Sequence, residues 1–262
     1  GIREVEEERR RAEREALVDR EWRGKIHYYG KLSREFLTAA VEQPDLALAR
    51  DLNGRNFLIQ ASIARDTEAV DVLLDAVAEV QAAHPMPDHR HTVQHCQLTT
   101  PGQYRRIRAL GMCANIFSNH AWFWGDQHIS ITVGPDRAAR MNAARTALDL
   151  GVPLSMHSDS PVTPLGSLHV AWAAVNRLTP SGVIVGPDER ITVAEALQAV
   201  TMGAAWQLRM EDEVGSISPR KFADLAILEA DPFEVDPMEL RDIPVWGTMC
   251  GGVLHPAAGV GG

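Results

Sequence analysis

One pattern limits the fold more than any other: short apolar runs recur along the chain, each followed by a longer stretch with helical periodicity. Residues 56–62 (NFLIQAS), 91–96 (HTVQHC), 112–117 (MCANIF) and 153–157 (PLSMH) are too short for stable helices and read as buried strands. Helices are predicted at about 66–82, 101–110, 136–150, 166–177 and 193–207. The first of these sets Val70, Leu73, Leu74, Val77 and Val80 at three-and-four spacing, which is one face of a helix. Short strands alternating with helices specify parallel βα units. Four such units amount to half of an eight-stranded (βα)8 TIM-type barrel, so the expected class is α/β with a partial barrel.

The two ends of the chain differ from this pattern. Residues 3–23 are rich in helix formers, and Glu6–Arg10 and Glu7–Arg11 stand one helical turn apart, which fits a solvated helix or an arm that binds a partner. Ser33 is placed to cap a helix reaching about residue 42. Towards the other end, residues 215–228 (GSISPRKFADLAIL) and 245–254 (VWGTMCGGVL) are strand-like and lack a helix of comparable length between them. The expected organisation is a charged helical segment at 1–32, the C-terminal half of a barrel at 33–212, a small β-sandwich portion at 213–256 and a loose tail at 257–262.

Bulk properties remove whole classes of function. A formal charge of −9 disfavours a nucleic-acid partner, whose affinity would come from clustered Lys and Arg. No run approaches the roughly 18 apolar residues of a membrane span, and no exporting apolar stretch opens the chain, so no membrane partner and a cytoplasmic location are expected. Cys96, Cys113 and Cys250 are too widely spaced for a zinc ribbon or a disulfide framework. A small-molecule substrate is the expectation that remains. The chain opens on Gly1 inside a charged stretch, which reads as an incomplete sequence or a processed start.

In parallel barrels the chemistry sits at the C-terminal strand ends. Those positions read Gln60-Ala-Ser62, Gln94-His95-Cys96-Gln97, Ser118-Asn119-His120 and His157-Ser158-Asp159-Ser160-Pro161. Imidazole and carboxylate together are a usual shell for catalytic zinc. His95 reads equally as a satisfied core histidine. Asp159 follows the apolar run PLSM, so it needs a cation, a cap role or water; Ser or Asp before Pro161 would also start a helix. Residues 120–128 (HAWFWGDQH) are expected to form a loop whose Trp122 and Trp124 either anchor the core or wall a pocket. Alternation turns Cys96 away from His95, which makes Cys96 and Cys113 packing residues.

Taken together, His95 in QHCQ, the HAWFWGDQH segment, the HSDSPV turn, residues 174–201 (AVNRLTPSGVIVGPDERITVAEALQAVT) and GSISPRKFADLAIL resemble the YtcJ-like amidohydrolases, a group that includes N-substituted formamide deformylases. The resemblance implies a divalent metal, most simply Zn2+, with one or two ions in the complete enzyme. It implies that His95 is a metal ligand from barrel strand six and that Asp159, from strand eight, both contacts metal and shuttles the proton. His120 and His157 are implied to lie near the substrate, and Trp124 and His128 of the 120–128 segment are expected to line it. The implied reaction is hydrolysis of an amide- or formamide-type C–N bond, with Asp159 as general base and then general acid.

The sequence departs from that family at several places. Arg220 stands where the late motif usually has glycine. The family's strand-five histidine has no counterpart, Ile63 or Gln60 standing near its place. No His-x-His occurs in residues 1–60, and His89-Arg90-His91 has that spacing but enters a strand instead of leaving one. Two nameable ligands fall short of the roughly three that catalytic zinc takes. The chain is therefore expected to bind metal weakly or not at all by itself, and to need its missing N-terminal half or a second copy to cover open strand edges. A half-length, non-catalytic relative that binds a ligand or partner at the same strand ends is the alternative.

Overall fold

The computed structural model describes residues 67–257. The chain divides into two compact units, residues 1–88 and 89–262. In the first unit the described element is helix α1, Thr67–Ala83. Its Val70, Leu73 and Leu74 are buried, as their spacing predicts, and Val80 is exposed. The expected helices at 3–23 and 33–42, the expected strand at 56–62, and the positions Gln60 and Ile63 lie outside the described residues.

The second unit begins with three βα-type strands: β1 (Thr92–His95), β2 (Cys113–Ile116) and β3 (Leu154–Met156). They pair in parallel in the order β1-β2-β3. Thr92 lies opposite Cys113, and Ala114 lies opposite both Val93 and Leu154. Helix α2 (Pro101–Ala109) follows β1, and Thr100 forms a full capping box with Gln103 at its start. Tyr104 and Ile107 of α2 and Met112, Cys113, Ala114 and Ile116 beside or within β2 are all wholly buried, which places the core between this helix and the sheet.

The stretch from 120 to 128 is not a loop. Helix α3 occupies His120–Gln127, and its backbone continues through a π turn at His128–Thr132. The amides of Trp122 and Phe123 both reach the carbonyl of Asn119, so the aromatic residues wind into a helix despite modest helical propensity. Tertiary burial outweighs that preference: Trp122 lies edge-on to the fully buried Trp172, with ring centres 5.2 Å apart.

Two expected helices are each broken in two. The one predicted at 136–150 is α4 (Pro135–Ala138) and α5 (Ala144–Asp149). Asn142 stands between them in the left-handed region with φ 51°, and its side-chain amide donates to the Phe117 carbonyl at 2.8 Å. Helix α6 (Ser167–Asn176) runs as expected and ends at Arg177, φ 52°. The helix predicted at 193–207 is α7 (Val193–Val200) and α8 (Met202–Gln207). Thr201 breaks it with ψ −89°, and this turns Gly203 so close to β3 that a Cβ there would stand 2.2 Å from the Leu154 carbonyl oxygen.

The last part is a three-stranded antiparallel sheet of β4 (Leu225–Leu228), β5 (Val245–Cys250) and β6 (Val253–Pro256). Residues 245–254 are therefore a hairpin and not one strand. Gly251 and Gly252, with φ 55° and 83°, make the turn. A 3-10 turn at Pro237–Asp242 ties this region to α6: Trp172 Nε1 donates to the Met238 carbonyl at 2.8 Å. Arg241 lies over the rings of Trp172 and Trp122 at 3.9 and 4.4 Å.

Candidate active site

The sheet register itself gathers the site. His95 pairs with Ile116, and Ile116 pairs with Met156, so all three strands end on one rung. The next amides continue the ladder: Phe117 N–H donates to the His95 carbonyl at 3.3 Å, and His157 N–H to the Ile116 carbonyl at 3.1 Å. His95, Phe117 and His157 are thereby neighbours at the C-terminal end of a parallel sheet. The rings of His95 and His157 meet edge to face with centres 5.0 Å apart. Phe117 stacks on His157 at 5.2 Å and meets His95 edge-on at 5.6 Å.

At this end the backbone takes unusual conformations. His95, Cys96 and Asp159 have φ of 64°, 51° and 54°, the left-handed region that residues with a Cβ seldom occupy. Such residues cluster where a site over-determines the backbone. The turn at Asp159 is a local turn and not a helix start: its carbonyl accepts the Val162 N–H at 2.7 Å, and α6 begins eight residues later at Ser167.

Burial, followed by the neighbouring His95, pulls the His157 pKa down to about 3, so this imidazole is neutral. Its Nδ1 accepts the backbone N–H of Asp159 at 3.1 Å. Its Nε2 is buried and has no hydrogen-bond partner. Cys96 turns inward, its thiol donating to the Val93 carbonyl at 3.2 Å, and burial pushes its pKa up to about 12; it packs and does not react.

Helix α3 supplies the second half of the cluster. The His120 ring lies 4.6 Å from Phe117 and 4.9 Å from Trp124. Its Nδ1 is 3.0 Å from Nε2 of His128, which Gln97 also reaches at 3.1 Å. His128 is 1 % exposed, with its Nδ1 2.7 Å from the Thr132 hydroxyl. It stands as a buried partner behind His120, placed there by the π turn, a feature often found at functional sites.

Sequence spacing missed two groups of residues. Phe117, read only as the end of a strand, touches His95, His120, Trp124 and His157 and is the centre of the cluster. The buried Asn119 and Thr163 form a chain with the half-buried His169. Asn119 Nδ2 donates to the Thr163 hydroxyl at 2.8 Å, His169 Nδ1 is 3.1 Å from Asn119 Oδ1, and the Thr163 hydroxyl donates to the Ser158 carbonyl. That chain ties α6 and the end of β2 to the turn carrying Asp159. A polar residue such as Asn119 directly after an apolar strand was the available signal.

Among the described residues no group of three His, Cys, Asp or Glu side chains stands ready to hold a metal ion. His157 does not help, because Asp159 occupies its Nδ1 lone pair. The described donors do not by themselves fit a complete metal site. A cavity of about 390 Å³ opens beside Pro153, Leu154, Met202, Gly203 and Trp206; it lies at the start of β3, the end away from His157. No helix among the described residues is long and apolar enough to cross a membrane.

A sequence profile of the amidohydrolase family matches residues 55–255. The chain belongs to the amidohydrolase family. This amidohydrolase is 30 % identical over 214 residues to N-substituted formamide deformylase of Arthrobacter pascens, covering 82 % of this chain and 39 % of that protein. It is 25 % identical over 193 residues to YtcJ of Bacillus subtilis, covering 70 % of this chain and 35 % of that protein. The chain thus spans well under half the length of these relatives. In fold it is similar to a metal-dependent hydrolase of Pyrococcus horikoshii, with TM-score 0.55 and 24 % identity over 65 % of this chain and 34 % of the other.

Proposed function

We propose that the intact protein is a metal-dependent hydrolase of amide- or formamide-type C–N bonds in a small molecule. The mouth formed by the ends of β1, β2 and β3 is its active site. The observation that carries this is the meeting of His95 with His157 and the Asp159 turn at one end of a parallel sheet, in a chain of the amidohydrolase family. Similarity to a formamide deformylase supports the choice of bond.

In this proposal His95 and Asp159 are metal ligands. Imidazole with carboxylate suits Zn2+, and the remaining ligands come from outside the described residues, from the rest of the protein or from a second copy. Asp159 takes the proton of the attacking water and returns it to the departing amine. His120 and His157 face the substrate, Trp124 walls it, and His128 holds His120 in place.

Metal analysis of the full natural protein, with Asp159→Asn as the comparison, tests the proposal together with amine release from an N-arylformamide. Bound zinc and amine release in the unsubstituted protein, with both reduced in the variant, is the expected result. Equal metal content removes Asp159 from the ligand set, and no amine release by metal-loaded protein overturns the hydrolase.

A further inference from the structure

We infer that His157 is a hydrogen-bond donor to the carbonyl oxygen of the substrate, through Nε2–H, and not a metal ligand. The tautomer follows from geometry. A ring nitrogen that accepts an N–H carries no hydrogen of its own, and Nδ1 of His157 accepts the Asp159 amide at 3.1 Å. The hydrogen of the neutral ring is therefore on Nε2. A metal-binding histidine shows the reverse arrangement: it offers one lone pair to the ion and donates the other N–H to a fixed acceptor. In His157 the fixed partner is itself a donor, so what remains is an N–H.

That N–H is buried and unpaired among the described residues. Buried polar groups nearly always find a partner, so this N–H is suited to an acceptor that a ligand brings. The ring cannot readily turn to satisfy itself. Phe117 stacks on one face at 25° between planes, and His95 meets it edge-on. The turn supplying the Asp159 amide is pinned by the Asp159–Val162 backbone bond and by the Asn119–Thr163–Ser158 chain. Nε2–H is thus pre-oriented beside His95, where the acceptor has to arrive with a ligand.

This deepens the proposed hydrolase and depends on it for the identity of the acceptor. When water adds to an amide or formamide carbon, the carbonyl oxygen gains negative charge, and a fixed buried donor binds that oxygen more strongly than it binds the ground state. The proton stays on Nε2 throughout. Asp159 handles the proton of water, while His157 holds the oxygen.

The test uses the full natural protein with 15N-labelled histidine and formanilide as the probe. Nitrogen NMR is expected to show His157 protonated at Nε2 and bare at Nδ1, with the Nε2–H resonance moving when formanilide is added. His157→Leu is expected to lower kcat for aniline release by roughly 10²–10³-fold with a much smaller change in KM. His157→Gln, which keeps an N–H near the same place, should recover a large part of that loss. Both variants should hold the same metal content as the parent. A hydrogen on Nδ1, metal lost from both variants, or glutamine no better than leucine overturns the inference. If the unsubstituted protein releases no aniline, the hydrolase reading fails, and the tautomer and the probe-induced shift still decide the role of His157.

Discussion

The backbone amide of Asp159 donates to Nδ1 of His157 at 3.1 Å, which makes the turn after β3 and the neighbouring imidazole one unit. Asp159 itself sits at φ 54°, so the chain turns sharply immediately after the amide that makes this bond. One residue thereby sets the tautomer of the other, and a change in this turn alters both ends of the site.

Asn119 is fully buried and bonded on both sides, to Thr163 and to His169. Asn119→Ala should cost about 1–3 kcal/mol, the usual penalty for stranding buried polar groups. Urea unfolding would show it as a lower midpoint. Hydrogen exchange at the Asp159 amide should speed up more than exchange along α2; uniform change across both would mean that Asn119 does not hold the turn.

His169 predicts a pH dependence. Burial lowers its pKa and the Arg241 charge lowers it further, with Asp242 opposing. A histidine depressed in the folded state binds protons more readily when unfolded. Its neutral form therefore favours folding above the unfolded value near 6.5, and stability falls as pH drops below that value. In His169→Gln the fall in Tm between pH 7 and pH 5 should be shallower; an identical slope would clear His169 of the effect.

Arg177 is 2 % exposed and donates to the carbonyls of Met141 at 2.7 Å, Asn142 at 3.1 Å and Val185. Burial draws its pKa down to about 10, so it stays charged at neutral pH. Arg177→Leu leaves three carbonyl oxygens without this donor, and a loss of about 3 kcal/mol or more is expected. A change of midpoint equivalent to less than about 1 kcal/mol would show that water replaces the guanidinium.

Gly186 has φ 61°, and a Cβ there would fall 1.7 Å from the Ala139 carbonyl oxygen. Backbone cannot move aside as a side chain can. Gly186→Ala should therefore destabilise by about 3 kcal/mol, while Gly182→Ala, with open space around it, should cost only the strain of its own backbone, about 1 kcal/mol. Thermal melts of the two variants side by side would separate contact from conformation.

Much of the scaffold is legible in the chain. The three described parallel strands fall within a residue or two of the apolar runs, and α2 and α6 match their periodic stretches. The apolar runs place His95, His157 and Asp159 at or just past strand ends, whereas His120 opens a helix. The aromatic run at 120–127 misleads because its helix is stabilised by contact with Trp172, which is distant in sequence. The breaks at Asn142 and Thr201 go with contacts made elsewhere in the chain, the Asn142 side chain with the Phe117 carbonyl and Gly203 with the Leu154 carbonyl.

Local order alone dictates that strands alternate with helices, and hence which residues stand at the strand ends, because burial period and capping act over a few residues. Tertiary structure decided how those residues use their nitrogens. The packing of His157 against His95 and Phe117, the burial of His128 and the Asn119–Thr163 tie depend on register between parallel strands and on contacts between residues far apart in the chain, such as His169 and Asn119. No local pattern encodes such distances; they exist only once the strands have paired and the helices have packed.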